Sequence, residues 1–180
     1  MTTTTKTPHR YHAIAPEVLA ELRVRDDAGA AFHPYRDDEG GAPLRCCLRR
    51  SHLGEDIALV SYAPLRRWAA ARGVDPGAYT ELGPVFIHAQ ECGGPEDDAS
   101  AGLPFAHTGA RRVVRRYNAD GEIHGGELVE FPEAADDAIA SAVLAKALDD
   151  AFAMPDVALV HVRAVEYGCF LFACEPPTGA

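Results

Sequence analysis

The sequence lacks the patterns that mark membrane, secreted and disulfide-stapled proteins. No run approaches the roughly 20 apolar residues of a transmembrane helix, and the amino-terminal stretch MTTTTKTPHRYH has no apolar core of signal-peptide length. The five cysteines are odd in number and none stands in a C-x-x-C pair, so neither a disulfide framework nor a zinc knuckle is predicted. We therefore expect a cytoplasmic protein and assign no metal ligand.

The chain also lacks the short motifs of several enzyme classes. There is no Gly-rich phosphate loop of the dinucleotide or P-loop kind, and neither G-x-S-x-G nor H-E-x-x-H occurs, which argues against serine hydrolases and metalloproteases. Lysine is scarce while Ala, Arg, Gly and Asp are abundant, a composition typical of bacteria with GC-rich genomes. The net charge of −10 argues against nucleic acid and anionic membranes as partners, because both would repel the chain.

Hydrophobic periodicity predicts an α+β fold. The 180 residues are most simply a Thr-rich disordered tail over residues 1–12 and a single domain over residues 13–180. The domain has a mainly antiparallel sheet, because consecutive strands are joined by short turns. Predicted strands cover residues 44–50, 57–62, 85–89, 113–117, 123–131, 157–165 and 169–174, with 44–50 and 57–62 forming a hairpin; helices cover 15–23, 65–72 and about 133–153.

The helix over residues 133–153 is the one long helix, and we expect it to pack on the sheet. Its apolar side chains recur at helical spacing, whereas its acids and its lysine fall elsewhere. The predicted buried residues are Ile139, Val143, Leu144, Leu148 and Phe152, and the predicted exposed residues are Asp136, Asp137, Lys146 and Asp150.

The stretch YTELGPVFIHAQEC, residues 79–92, carries the first candidate for chemistry. His88 lies near the end of a short apolar strand, and Cys92 follows four residues later in a polar loop. A neutral imidazole can act as a general acid or base, and a thiolate beside it can act as a nucleophile. The alternative is structural, with His88 hydrogen-bonded in the interior and Cys92 packed as a small hydrophobe.

Arginines form the second candidate site. Arg45 and Arg49 share one face of the predicted strand 44–50, where they would bind an anionic ligand through bidentate hydrogen bonds. His161 and Arg163 also share a strand face and are assigned to the same substrate. The alternative for these arginines is pairing with surface carboxylates. Cys169 lies just past the next turn, and convergence of His88, His161 and a cysteine would suit a transition metal.

Three segments resemble a known family when they are taken together. They are LRCCLRRSHLGE followed by SYAP, then ELGPVFIHAQEC, and then HVRAVEYGCFLF, in that order. The arrangement resembles the bacterial domain-of-unknown-function family 1203 over residues 44–173. The resemblance implies a compact domain and transfers no activity and no catalytic residue.

Three functions remain open. The leading hypothesis is a small enzyme that acts on an anionic metabolite, with His88 as acid or base, Arg45 or Arg49 as the anion anchor and Cys92 as an auxiliary. The second is a non-catalytic ligand-binding or interaction domain, and the third is a His/Cys metal-binding protein. The sequence identifies no cofactor.

Overall fold

The computed structural model of the protein describes residues 10–96, 102–133 and 136–176, which form an α+β fold of two antiparallel sheets and three helices. No helix within these ranges is both long enough and apolar enough to cross a membrane. The strands are β1 (Arg10–His12), β2 (Tyr35–Arg36), β3 (Asp56–Tyr62), β4 (Gly83–His88), β5 (Arg111–Tyr117), β6 (Ile123–Glu130), β7 (Leu159–Ala164) and β8 (Phe170–Glu175); the helices are α1 (Pro16–Leu22), α2 (Pro64–Arg72) and α3 (Asp137–Phe152).

The larger sheet has five strands in the order β1-β8-β7-β5-β6, and the smaller has three in the order β2-β3-β4. The predicted hairpin between β5 and β6 is confirmed. Its turn is closed by the side chain of Asn118, whose Oδ1 accepts backbone hydrogen bonds from Asp120 at 3.1 Å and Glu122 at 2.9 Å. Gly121 has φ +83°, a left-handed conformation that glycine adopts without steric cost.

The larger sheet is covered on both faces. Helix α3 packs on one face, where Leu144 and Leu148 join Val114, Val162 and Phe172 in a single apolar cluster. On the other face, Phe170 of β8 joins a second cluster formed by the smaller sheet and α1. Because both faces are buried, all of the first five residues of β7 are buried, including its histidine and its arginine.

Helix α3 differs from its prediction in extent and in its buried face. It begins at Asp137, with the Asp136 side chain capping the backbone N–H of Ile139 at 2.9 Å, whereas the prediction began near residue 133. Residues 134 and 135 lie outside the described residues. Ile139 is 49% exposed, contrary to prediction, because the buried stripe begins at the next residue, Ala140; Leu144 and Leu148 are buried as predicted, whereas Val143 and Phe152 are half-buried. The stripe consists of Ala140, Leu144, Ala147, Leu148 and Ala151.

Two further predictions are wrong. Residues 44–50 form a turn and not a strand, so the hairpin of 44–50 with 57–62 does not exist, and β3 pairs instead with β2 and β4. Leu44 to Leu48 are all buried, a pattern that no half-exposed strand shows. The predicted disordered tail is also too long, since residues 10–12 form β1 and pair with β8. Residues 1–9 lie outside the described residues.

Candidate functional site

The turn over residues 44–50 is tied to the end of β4. The backbone N–H of Arg45 donates to the carbonyl of Phe86 at 2.9 Å, and the N–H of Leu48 donates back to Leu44 at 3.0 Å. Leu48 has φ 58°, a left-handed conformation that a residue with a side chain adopts at some cost in free energy. Because the backbone turns here, the adjacent side chains of Cys46 and Cys47 point to one side, where a strand would separate them.

The turn, β4 and the loop after β4 bring four potential metal-ligand atoms together. The Sγ atoms of Cys46, Cys47 and Cys92 and a ring nitrogen of His88 all lie within 4.8 Å of one another. The two sulfurs of Cys46 and Cys47 are 3.9 Å apart, and they lie 3.3 and 3.7 Å from Nδ1 of His88. We call these four residues the thiol–imidazole cluster.

The far side of the His88 ring faces a charged pair. Nε2 lies 3.4 Å from a carboxylate oxygen of Glu55 and 3.3 Å from a guanidinium nitrogen of Arg49. Arg49 and Glu55 are themselves joined by two hydrogen bonds of 3.0 and 2.6 Å, which lower the pKa of Glu55 to about 2. Glu55 is therefore a carboxylate at neutral pH. A neutral His88 has two tautomers here: an unprotonated Nε2 accepts from Arg49, whereas a protonated Nε2 donates to Glu55 and leaves the Nδ1 lone pair directed at the sulfurs.

The two neighbouring thiols have unlike acidities. The Cys46 thiol donates to the sulfur of Cys47, and this hydrogen bond lowers the pKa of Cys47 while it raises the pKa of Cys46. The backbone N–H of Arg49 and the positive charge of its side chain further stabilise the Cys47 thiolate. Cys46 in turn accepts a hydrogen bond from the backbone N–H of His88 at 3.3 Å. These interactions favour the thiolate form at Cys47 and the thiol form at Cys46.

Most of the cluster is shielded from solvent. Cys46, Cys47 and His88 are buried, whereas Cys92 is half-buried and is the most exposed of the four. Arg23, just after α1, fixes the loop that carries Cys92. Its side chain donates to the backbone carbonyls of His88 at 3.2 Å and Gln90 at 2.8 Å.

The predicted arginine pair does not share a face. Arg49 lies beside His88, whereas Arg45 points away and donates to the backbone carbonyls of Phe170, at 2.8 Å, and Pro43. The turn explains the difference, because the expected same-face placement depended on strand alternation. Burial lowers the pKa of Arg45 to about 10, so its guanidinium is still charged at neutral pH.

The predicted pair on β7 lies elsewhere in the interior. His161 is buried between the rings of Tyr117 and Phe170, with centroid distances of 4.8 and 5.0 Å. Burial lowers the pKa of His161 to about 3, so this ring is neutral. Arg163 forms a salt bridge with Glu81 at 2.8 Å. Neither residue belongs to the thiol–imidazole cluster, and a role for them in substrate binding stays a prediction.

Sequence reasoning found His88 and Cys92 and missed the partners that the structure adds. Cys46 and Cys47 were placed on opposite faces of a strand that does not form, and nothing in the pattern singled out Arg23. One local signal was present. The spacing from His88 to Cys92 falls within the range that separates paired metal ligands in zinc sites, and two further thiols occur together upstream.

A family model matches most of the chain. The family described as a protein of unknown function, DUF1203, matches residues 41–175. The chain belongs to the DUF1203 family. The matched region contains all four residues of the thiol–imidazole cluster, and it confirms the resemblance seen in the sequence. No curated protein and no solved structure matches the chain.

Proposed function

We propose that this DUF1203 member binds one zinc ion through Cys46, Cys47, His88 and Cys92. The observation that carries the proposal is the convergence of three sulfurs and one imidazole nitrogen within 4.8 Å. Thiolate and imidazole ligands are those that zinc prefers, and four protein ligands are typical of structural zinc sites.

The spacing of the donor atoms supports tetrahedral coordination. Two sulfurs bound about 2.3 Å from zinc at the tetrahedral angle lie about 3.8 Å apart, and a sulfur and an imidazole nitrogen lie about 3.5 Å apart. The corresponding distances are 3.9 Å between Cys46 and Cys47, and 3.3 and 3.7 Å from these sulfurs to His88. A zinc ion therefore fits between these donors with small side-chain movements.

The position of Glu55 on the other side of the His88 ring also supports zinc binding. Histidines that bind metal through one nitrogen commonly donate the other N–H to a carboxylate, which fixes the tautomer and the ring orientation. Nε2 of His88 faces Glu55 at 3.4 Å, while Nδ1 faces the sulfurs. Zinc binding requires the deprotonated form of Cys46, so we expect the site to release protons when it is loaded.

A zinc ion here would join three separate parts of the chain. It would connect the 44–50 turn, the last residue of β4 and the loop after it. Since all four positions of a tetrahedral ion are filled by protein, the role that we propose is to hold these segments together and not to activate water.

The direct test is zinc content in protein purified without a histidine tag. We expect about one zinc per chain in the parent protein and a loss of stoichiometric zinc in Cys92→Ser. Cys169→Ser is the matched control, because Cys169 is also half-buried but lies outside the cluster. Zinc well below one per chain in the parent, or equal zinc in both variants, would overturn the assignment.

Glu55→Gln is expected to weaken zinc binding by about 10- to 100-fold, the usual effect of removing a carboxylate behind a metal-bound histidine. The substitution keeps the shape of the side chain and removes its charge. Glu91→Gln is the control, because it removes the same charge from an exposed residue that lies next to Cys92 in sequence. Competition titration against a zinc-binding dye measures both affinities. Equal affinities in the two variants would show that Glu55 does not orient His88.

A second candidate is thiol catalysis on a small anionic metabolite. The lowered pKa of Cys47 and the 3.7 Å between its sulfur and Nδ1 of His88 favour it, because a thiolate next to an imidazole is a nucleophile with an acid-base partner. Cys47 would then be the nucleophile, the role that the sequence suggested for Cys92. The candidate predicts that protein without metal reacts with iodoacetamide at Cys47 faster than at Cys169 at neutral pH. Equal reaction rates at Cys47 and Cys169 would contradict thiol catalysis.

The absence of disulfides among the cysteines also bears on the cellular location. All five are free, which fits a reducing compartment, and the bacterial cytoplasm is the location that we propose.

A further inference from the structure

A cleft of about 1250 Å³ is bordered by residues of both sheets, and none of the four cluster residues lines it. Four arginines line it: Arg36 at the end of β2, Arg45 from the 44–50 turn, Arg50 from the end of that turn, and Arg112 from β5. Arg45 and Arg112 are 2% and 5% exposed, so their charges are held in place by the surrounding protein.

The guanidinium groups of Arg45, Arg50 and Arg112 are held by neutral acceptors. Arg45 donates to the carbonyl of Phe170, Arg50 to that of Gly41 at 2.8 Å, and Arg112 to that of Phe105 at 2.8 Å. Within the described ranges none of the three forms a salt bridge. A buried cation without a counter-charge is costly, and proteins usually pair it. The direct hydrogen-bond partners of Arg45, Arg50 and Arg112 are therefore neutral, and the carboxylates that line the cleft, Glu166 among them, act on these charges only from a longer distance.

The hydrogen bonds of Arg50 and Arg112 are incomplete where both side chains meet His107. Its Nε2 lies 3.2 Å from a guanidinium nitrogen of Arg50 and 3.1 Å from one of Arg112. A neutral imidazole nitrogen has a single lone pair, so it cannot accept both hydrogen bonds well. At least one of these two guanidinium groups therefore has a donor in need of another acceptor, at a point where both arginines face the same cleft.

We propose that this cleft binds a phosphate monoester, with the phosphate group between Arg50, Arg112 and His107 and with Arg45 adding positive charge. Donors from separate elements suit a tetrahedral group with three free oxygens better than a planar carboxylate with two. The site is distinct from the proposed zinc centre and does not depend on it.

The rest of the cleft indicates what the phosphate is attached to. Leu59 and Phe86 of the smaller sheet line it, and they suit an apolar body of the ligand. Asp38, Glu39 and Glu166 also line it and are exposed, so a second anionic group on the ligand would be repelled. The ligand class is thus a monoester that is charged at one end only.

Isothermal titration with phenyl phosphate, in buffer free of phosphate at about pH 8 where the monoester is a dianion, tests the proposal. We expect saturable binding of one molecule per chain. Inorganic phosphate should bind more weakly because it lacks the ring, and benzoate should bind at least about tenfold more weakly because it carries one charge and two oxygens.

Arg50→Ala and Arg111→Ala form the matched pair of variants. Both residues are exposed and both substitutions remove one positive charge, but only Arg50 lines the cleft. We expect Arg50→Ala to weaken phenyl phosphate binding about tenfold or more and Arg111→Ala to change it less than about twofold. Equal effects of the two substitutions, equal binding of benzoate, or no saturation at millimolar phenyl phosphate would overturn the proposal. Unchanged melting curves show that each variant is folded.

Discussion

Removing the proposed zinc ion with a chelator is expected to lower the thermal midpoint of the protein by about 8–16 °C. A ligand that binds only the folded state stabilises it by about 4 kcal/mol when its free concentration is about 1000 times its dissociation constant. Each kcal/mol moves the midpoint by about 2–4 °C in chains of about 150–250 residues. The expected shift is this large because zinc would join the 44–50 turn to β4 and to the loop carrying Cys92.

Differential scanning fluorimetry with and without chelator measures the shift, and adding back zinc should restore the original midpoint. The control is Cys92→Ser, in which the chelator should change little, because the site has already lost a ligand. A parent protein whose midpoint is the same in chelator would contradict a stabilising zinc site.

Leu148→Ala is expected to lower the free energy of unfolding by about 2–5 kcal/mol, the usual loss when a buried leucine is truncated and leaves a cavity. Leu148 is fully buried in α3 and belongs to the apolar cluster between this helix and the larger sheet. Urea unfolding followed by circular dichroism measures the change.

Ile139→Ala on the same helix is the matched control. Ile139 is 49% exposed, and its truncation should cost less than about 0.5 kcal/mol after allowing for the better helix propensity of alanine. Similar losses in the two variants would show that α3 does not pack through the stripe containing Leu144 and Leu148.

Local pattern predicted most of the regular elements, because strand and helix periodicity depends on residues close together in sequence. The strand ending at His88, the β5–β6 hairpin and the short α2 helix were all found within one or two residues of their ends. The αL conformation of Gly73, which ends α2, follows from the same local rules.

The errors arose where burial does not follow a simple period. Residues 44–50 alternate in the sequence letters, yet five consecutive residues there are buried against other parts of the fold. In α3, small alanines form much of the buried stripe, so a search for large apolar side chains placed Ile139 inside. Alanine contributes little to a hydrophobic pattern, so the face of α3 that packs on the sheet was predicted incorrectly.

The sequence by itself determined the fold class, the placement of His88 and Cys92 four residues apart at a strand end, and membership in DUF1203. Only the tertiary structure decided which groups meet. Antiparallel pairing of β3 with β4 places Glu55 beside Nε2 of His88. The 44–50 turn, which is hydrogen-bonded to Phe86, places Cys46 and Cys47 beside Nδ1 of the same ring. The same turn separates Arg45 from Arg49 and places Arg45 in the cleft with Arg112. These contacts join residues far apart in the chain, and they depend on long-range strand pairing that no local periodicity encodes.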